Sequence, residues 1–484
     1  MYQYAIKLST QFAINYSLPL KKLRKNSISN VETRISAEFC YSYYFKELAS
    51  FTQAFKFNLA LTLHQMPLPK IISFYLPQFH ENDLNNKNWG KGFTEWTNVA
   101  KARPNFYSHY QPHIPQDLGF YDLTNIKSLE KQIKLASKFG IDGFCFYYYW
   151  FDGKKALYKP LNIFLESKLV FPFCICWANE NWTKNWDGGN KEIILEQTYK
   201  QGFEDAFVKS IKNILIDSRY IKIDNKPLLL IYRPDQFPNP NKNLDQIRAA
   251  ARKYGIGEIS LAVVDAFCLD LVSASKWGEG ATIDYIIEFP PHGYFTNETR
   301  LSKQDRPLIC NSEFQGKLYD YRKIVLKSLQ KSLPQEVNKK YIRGIIPSWD
   351  NTPRRQNTGS VCCKVSSQCY FYWLKYLIGE SISYNRKAIF INAWNEWGEG
   401  AHLEPDLMNG LSFLEKTKLA IDSSHNAFKD REDLIDYLNN NSNADSLMFE
   451  KLIQAKYLRP SFRNIIDFLI HTFIRRFLPK NFFN

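Results

Sequence analysis

Apolar runs of strand length recur through the middle of the chain, at 71–75, 143–150, 171–177, 227–232, 259–264, 283–287, 343–347 and 388–393. The second run, Phe144-Cys145-Phe146-Tyr147-Tyr148-Tyr149-Trp150, is apolar without interruption. Continuous apolarity predicts a strand covered on both faces, as in a parallel sheet. Segments with helical spacing separate most of these runs, at about 124–138, 160–166, 202–216, 243–253, 320–331 and 370–379. Gly140, Gly255 and Gly257 supply helix stops. Each run ends in polar or aromatic residues. This rhythm predicts an α/β protein, a (β/α)8 TIM-type barrel whose active site lies at the C-terminal ends of the strands. A doubly wound sheet would gather its ligand at one switch point and would not need chemistry after so many strands.

The first run leads into a long polar and aromatic stretch that reaches Asp122 and shows no periodicity of its own. A structureless loop of that length implies function. After the eighth run, 411–424 reads as a closing helix and 431–458 as helices interrupted at Asn439-Asn440-Asn441. The tail at 462–480 mixes Phe462, Ile465, Phe468, Phe473 and Phe477 with Arg463, Arg475, Arg476 and Lys480. It has the pattern of a basic amphipathic helix, suited to an anionic membrane surface or to packing on the barrel. The expected organisation is an extension over 1–68, a barrel over 69–425 and a basic helical region over 426–484.

Charge and cysteines narrow the class. The 63 basic against 48 acidic residues give a formal charge of +15, yet no nucleic-acid-binding motif accompanies it. Nine cysteines form no disulfide framework, which predicts reduced thiols. The first residues carry Lys7 but no clean apolar core with a cleavage site, and no run has the length of a membrane span. The expected location is cytoplasmic, with peripheral contact at the inner membrane. Aromatic residues make up 16% of the chain, which suits a sugar cleft as well as a large core.

Chemistry concentrates after the eighth run, in Asn395-Glu396-Trp397-Gly398-Glu399-Gly400-Ala401-His402-Leu403-Glu404. Glu396 and Glu399 stand three apart just past a strand end, a spacing that sets both on one side of a turn. Neighbouring carboxylates push their pKa values apart, the division between general acid and general base at a glycosidic bond. Glu-x-x-Glu is common on surface helices, so its weight comes from the strand end and from Trp394 and Trp397. A rival assignment is an ion-pair network with Arg354 and Arg355. A metal held by Glu396, Glu399, His402 and Glu404 is a lesser alternative, and the expectation is no metal and no cofactor. No phosphate-binding or dinucleotide-binding loop is present.

The ordered blocks Phe74-Tyr75-Leu76-Pro77-Gln78-Phe79-His80, Gly92-Phe93-Thr94-Glu95-Trp96-Thr97-Asn98-Val99, Asp117-Leu118-Gly119-Phe120-Tyr121-Asp122, Phe144-Cys145-Phe146-Tyr147-Tyr148-Tyr149-Trp150, Trp177-Ala178-Asn179-Glu180-Asn181-Trp182, Glu288-Phe289-Pro290-Pro291, Trp349-Asp350-Asn351-Thr352 and Asn395-Glu396-Trp397-Gly398-Glu399-Gly400 resemble the WbsX-like glycosyltransferases of surface polysaccharide synthesis. The barrel of that family is similar to glycoside hydrolase family 99. The resemblance implies a retaining, metal-free reaction. Glu396 would take the proton of a sugar 2-hydroxyl that attacks C1, and Glu399 would protonate the leaving oxygen. Glu404 matches a further acidic position of the motif. Tyr75, Gln78, His80, Glu95, Trp96, Tyr149, Trp150, Trp177, Asn179, Glu180, Asn181, Trp182, Glu288, Trp349, Asp350, Asn395, Trp397, His402 and Glu404 are the expected substrate-binding residues. The implied function is cleavage or transfer of glycosyl units in lipopolysaccharide O-antigen or capsule metabolism, on a substrate that includes lipid-linked glycans. The alternatives are a nucleotide-sugar-dependent transferase and a non-catalytic glycan-binding protein.

Overall fold

The structure is a computed structural model that describes residues 67–184, 192–266, 283–333, 335–424 and 427–440. The tail at 462–480 and most of the 1–68 extension lie outside the described residues.

Eight parallel strands form the centre: β1 (Lys70–Tyr75), β2 (Gly143–Phe151), β3 (Phe173–Trp177), β4 (Lys226–Ile231), β5 (Ser260–Asp265), β6 (Tyr285–Glu288), β7 (Tyr341–Ile345) and β8 (Ala388–Ile391). Each pairs with its sequence neighbours, and β1 pairs with both β2 and β8. The register Ile72↔Phe390 on one side and Ile72↔Gly143 on the other closes the sheet into a barrel. Helices α1 (Ile126–Lys138), α2 (Lys159–Glu166), α3 (Phe203–Leu215), α4 (Pro240–Lys253), α5 (Tyr321–Leu329) and α6 (Ser367–Ser383) occupy crossovers between successive strands. Between β5 and β6, residues 267–282 are outside the description.

The helices form for ordinary reasons. α1 starts on Asn125, whose side chain accepts from the Lys127 amide, and it buries Leu129, Gln132, Ile133 and Ala136 on one stripe. Gly140 follows it with φ +82°, and a Cβ there would lie 2.7 Å from Ile421 Cδ1. α6 buries residues around most of its circumference, from Cys369 to Ile382. It is covered outside by α7 (Ser412–Ser423) and α8 (Ala427–Asn440), which explains why it carries so few polar positions. No helix among the described residues is long and apolar enough to cross a membrane.

The stretch after β1 is not structureless. It contains helices Asp83–Trp89 and Glu95–Lys101, begun by Asn82 and by a Thr94/Thr97 capping box. Two turns of mostly polar helix leave too short a pattern to read as periodic.

Alternation along the strands decides what faces the lumen. Phe74 meets Phe289 at 5.0 Å, Phe390 at 5.3 Å and Tyr147 at 5.5 Å between ring centroids. Phe289 follows β6, which is no neighbour of β1 in the sheet, so these rings fill the barrel interior. Their sequence neighbours face outward. Tyr75 bonds Gln132 of α1, Trp177 stacks on Phe207 of α3 at 3.8 Å, and Trp150 packs on both. The described cysteines, namely Cys145, Cys174, Cys176, Cys310, Cys362, Cys363 and Cys369, are all free thiols.

Candidate active site

The segment beyond β8 is fixed before it offers any chemistry. Asn395 acts as a substitute peptide: its Oδ1 accepts from the Leu76 amide at 2.7 Å and its Nδ2 donates to the Leu76 carbonyl at 3.0 Å. Asn395 and Glu396 then pair antiparallel with His402 and Ala401. The intervening turn, Trp397–Glu399, closes on Gly400 at φ +59°. A Cβ at Gly400 would lie 2.9 Å from the Asp350 backbone nitrogen, so this glycine is required by space as well as by conformation.

Arg354 is the hub. It sits on the short helix Thr352–Arg355 beyond β7. Each guanidinium nitrogen meets a different carboxylate: Nε with Glu95 Oε1 at 2.7 Å, Nη2 with Glu396 Oε2 at 2.7 Å and Nη1 with Glu399 Oε1 at 2.8 Å. One buried cation therefore spaces three acids that come from opposite ends of the chain. The ion-pair network named as a rival does exist through Arg354. The Arg355 backbone carbonyl instead accepts from the Thr358 hydroxyl. The three acids differ in access. The side chain of Glu95 is 0% exposed, that of Glu396 7% and that of Glu399 24%.

That difference sets the chemistry. Burial, together with the charges of Glu396 and Glu95, raises the Glu399 carboxyl to about 8 against the pull of Arg354. Glu399 therefore holds its proton at neutral pH while facing the mouth. Glu95 is also raised by burial, opposed by Arg354. Gly398 belongs to the same arrangement, since a Cβ there would lie 1.9 Å from Glu95 Oε1 and 2.8 Å from Arg354 Nε.

Asp350 holds the hub in place. Its Oδ1 accepts from the Thr352 amide at 2.9 Å and hydroxyl at 2.7 Å. Its Oδ2 accepts from His109 Nε2 at 2.7 Å and Gln111 Nε2 at 2.6 Å. His109 Nδ1 accepts from the Asn105 amide, which leaves Nε2 as the donor. The Asp350 amide donates to the Glu399 carbonyl at 2.6 Å. Burial opposes ionisation of Asp350, but His109 and the Thr352 hydrogen bond overcome it and bring the carboxyl to about 2.

Glu404 steadies the indole between the two glutamates. It accepts from Trp397 Nε1 at 2.6 Å, Tyr121 OH at 2.7 Å and Gln132 Nε2 at 2.6 Å. Trp397 also stacks on His402 at 3.7 Å and meets Trp96 at 5.4 Å. His402 Nδ1 donates to the Glu404 carbonyl at 2.8 Å, so its Nε2 accepts from His113 Nδ1 at 2.8 Å. His113, His402 and Asp406 bring ligand-type atoms within 4.8 Å of one another. The two histidines already bond each other, and Asp406 Oδ2 accepts from Asn409 Nδ2 at 2.9 Å. The four residues named as a lesser metal set do not share one centre, because Glu396 and Glu399 turn to Arg354 and Glu404 to its own donors.

The expected binding residues thus separate into groups. Glu95, Trp96, Asn395, Trp397, His402, Glu404 and Asp350 gather around the glutamate pair as buried support. Gln78 lies beneath them, with its carbonyl accepting from the Glu95 amide at 3.2 Å, and His80 Nδ1 contacts the Pro77 carbonyl at 2.9 Å. Trp349 is buried beside Phe295. Asn179 ties β3 to β4 through the Arg233 backbone, at 2.7 Å to its amide and 2.8 Å to its carbonyl. Asn181 accepts from the Gln197 amide at 2.7 Å. Trp182 stacks on Tyr149 at 5.5 Å, and Tyr149 and Glu180 are half-buried at the mouth.

Tyr75, Trp150, Trp177 and Glu288 face the helices rather than the mouth. Glu288 accepts from Arg343 Nε at 2.7 Å, the Gly344 amide at 3.0 Å, Lys331 Nζ at 3.0 Å and the Tyr294 hydroxyl. Strand alternation is the cause, since each lies one residue away from a lumen-facing position. The same alternation, applied to the sequence, would have found Tyr147 and Tyr232. Arg354 had a weaker signal, an arginine pair just past a strand end.

The family described as Glycosyltransferase WbsX matches residues 71–417. "Uncharacterized protein WxcX" of Xanthomonas campestris pv. campestris strain B100 is 37% identical over 355 residues, which are 72% of this chain and 49% of that protein. The chain therefore spans about half the length of the curated relatives it matches. Among solved structures, one described as "Glycoside hydrolase-like protein" has a TM-score of 0.46 at 15% identity, covering 73% of this chain and 94% of that one. A GH99 endo-alpha-mannosidase from Bacteroides thetaiotaomicron has a TM-score of 0.44 at 15% identity, covering 75% and 98%.

Proposed function

The chain belongs to the WbsX glycosyltransferase family, and from that premise we propose that it is a carbohydrate-active enzyme of surface-polysaccharide metabolism that uses Glu396 and Glu399 on α-linked glycans. The observation that carries this reading is the unequal treatment of two carboxyls by one arginine. Glu399 faces the mouth with a carboxyl at about 8, and Glu396 lies deeper on another nitrogen of Arg354.

In the first step Glu396 takes the proton of the sugar 2-hydroxyl, and that oxygen attacks C1. The C1–O bond to the leaving group breaks as Glu399 gives its proton to the departing oxygen. The product is a 1,2-anhydro sugar, with Glu396 protonated and Glu399 ionised. In the second step Glu399 takes a proton from water or from an acceptor hydroxyl, whose oxygen adds to C1. The C1–O2 bond opens and O2 recovers its proton from Glu396. Water as acceptor gives hydrolysis and a sugar hydroxyl gives transfer, each with retention.

The test is a screen by mass spectrometry of α-mannosides, bacterial surface glycans, and nucleotide sugars with lipid-linked acceptors, with Glu399→Gln beside the wild type. Fragments or transfer products that form without nucleotide, and vanish in the variant, support the reading. Acceptor extension that requires a nucleotide sugar overturns the glutamate assignment. The family description gives that second reading its weight. Binding without turnover identifies a glycan-binding protein.

A further inference from the structure

Across the mouth from the glutamates lies a second group that the two-step chemistry does not use. We infer that Tyr232, His292 and the Glu180–Arg233 pair form a further glycosyl subsite that accepts a neutral or amino sugar and refuses phosphate and carboxylate groups. The inference rests on the proposed reading for the identity of its ligand as a glycan.

The group is built from the ends of successive strands. Glu180 follows β3, Tyr232 and Arg233 follow β4, and His292 follows β6. All are half-buried, unlike the supporting network below Glu396. Tyr232 faces Tyr147 at 6.4 Å and Phe289 at 5.6 Å, and His292 stacks on Phe289 at 5.7 Å. Burial raises the Tyr232 hydroxyl, and the charges of Glu180 and Glu399 raise it further. Ring faces of this kind cover the apolar face of a pyranose, and the hydroxyl and carboxylate bond its hydroxyls.

Charge decides the ligand class. Arg233 gives Nε and Nη2 to Asp235 at 2.9 and 2.7 Å and Nη1 to Glu180 at 3.1 Å. Arg354 gives its three nitrogens to three acids. Among the described residues, both guanidinia are thus already engaged by carboxyls, Arg233 by those of Glu180 and Asp235 and Arg354 by those of Glu95, Glu396 and Glu399. A phosphate entering here would have to displace a carboxylate from a guanidinium and leave it unpaired. The cations at the mouth are already paired on a chain whose formal charge is +15, so net charge says nothing about the substrate.

The experiment is ligand-observed saturation-transfer NMR on the full chain with methyl α-mannobioside, glucosamine, glucuronic acid, and UDP with and without Mg2+. It compares the wild type, Glu180→Gln, Tyr232→Phe and, as a control, Glu298→Gln, whose side chain is 81% exposed. The expected result is binding of the first two and none of the others. Glu180→Gln should weaken glucosamine about tenfold and Tyr232→Phe the disaccharide several-fold, with Glu298→Gln unchanged. Binding of glucuronic acid, binding of UDP in either condition, no binding of any sugar at millimolar concentration, or wild-type affinities in both variants would overturn the inference. The two readings fail separately. Sugar binding with this pattern but no turnover keeps the subsite and removes the catalytic reading. Turnover with binding indifferent to Glu180 and Tyr232 does the reverse.

Discussion

Arg354 Nη1 and Glu399 Oε1 lie 2.8 Å apart, yet the Glu399 carboxyl stands at about 8. An arginine at that distance ordinarily holds a carboxylate ionised. Here burial raises the carboxyl, and the charges of Glu396 and Glu95, which share the same guanidinium, raise it further against the pull of Arg354. The pair is therefore a proton-holding acid beside a cation rather than a simple salt bridge.

Glu399 should define the alkaline limb of activity. A general acid must carry its proton, so rate should fall as pH rises through about 8. Glu399→Gln should lose roughly 10²- to 10⁴-fold in kcat while remaining folded. The stability effect has a definite sign. A raised carboxyl contributes fully below its unfolded value, and that contribution falls as pH rises from about 4.5 through about 8. Thermal melts between pH 5 and 9 should decline more steeply for the wild type than for the variant.

Removing the hub should be far worse than removing one of its acids. Arg354→Met leaves the three acids without their cation and should cost about 3–5 kcal/mol in denaturant unfolding. Glu396→Gln keeps an acceptor oxygen toward Arg354 and should fold, with activity lost. If Glu396→Gln and Glu399→Gln both fail to fold, the acids are structural and the catalytic reading falls.

Gly398→Ala should push the new methyl against Glu95, since the distance to Oε1 would be 1.9 Å. Overpacking of this kind costs about 1–3 kcal/mol. Combining it with Glu95→Ser should cost less than the sum of the two single changes. Additive losses in chemical denaturation would show that the two positions do not press on each other.

Asp350 should matter at the acid end. Its folded carboxyl at about 2 lies below its unfolded value, so its contribution is present above about 3.8 and is lost as pH falls through about 2. Asp350→Asn places an amide donor among donors from His109, Gln111 and Thr352. The expected cost is about 1–3 kcal/mol near neutrality, with a shallower loss toward pH 2 than in the wild type. Melts that run parallel from pH 7 to pH 2 would contradict this.

The barrel was legible because parallel strands buried on both faces leave unbroken apolar runs, as in Phe173-Cys174-Ile175-Cys176-Trp177. The glutamate turn was legible because Asn395, Glu396 and Glu399 follow such a run at once. Which aromatic belonged to the mouth was harder to read. Tyr147 and Trp150 differ by orientation, not by type, and a motif names both. The role of Arg354 was hidden because Arg355 stands beside it, and only the fold of Thr352–Arg355 decides which one turns inward. The helices Asp83–Trp89 and Glu95–Lys101 left too little periodicity to be seen.

The way Glu95 fills the place a Cβ would take at Gly398 also constrains how such chains diverge. Neither position is able to drift alone. A side chain at the place of Gly398 demands a shorter partner at the place of Glu95, and the arginine between them then loses a ligand. An alignment of relatives should therefore show these two columns changing together, an inherited link between the segment after the first strand and the turn after the last.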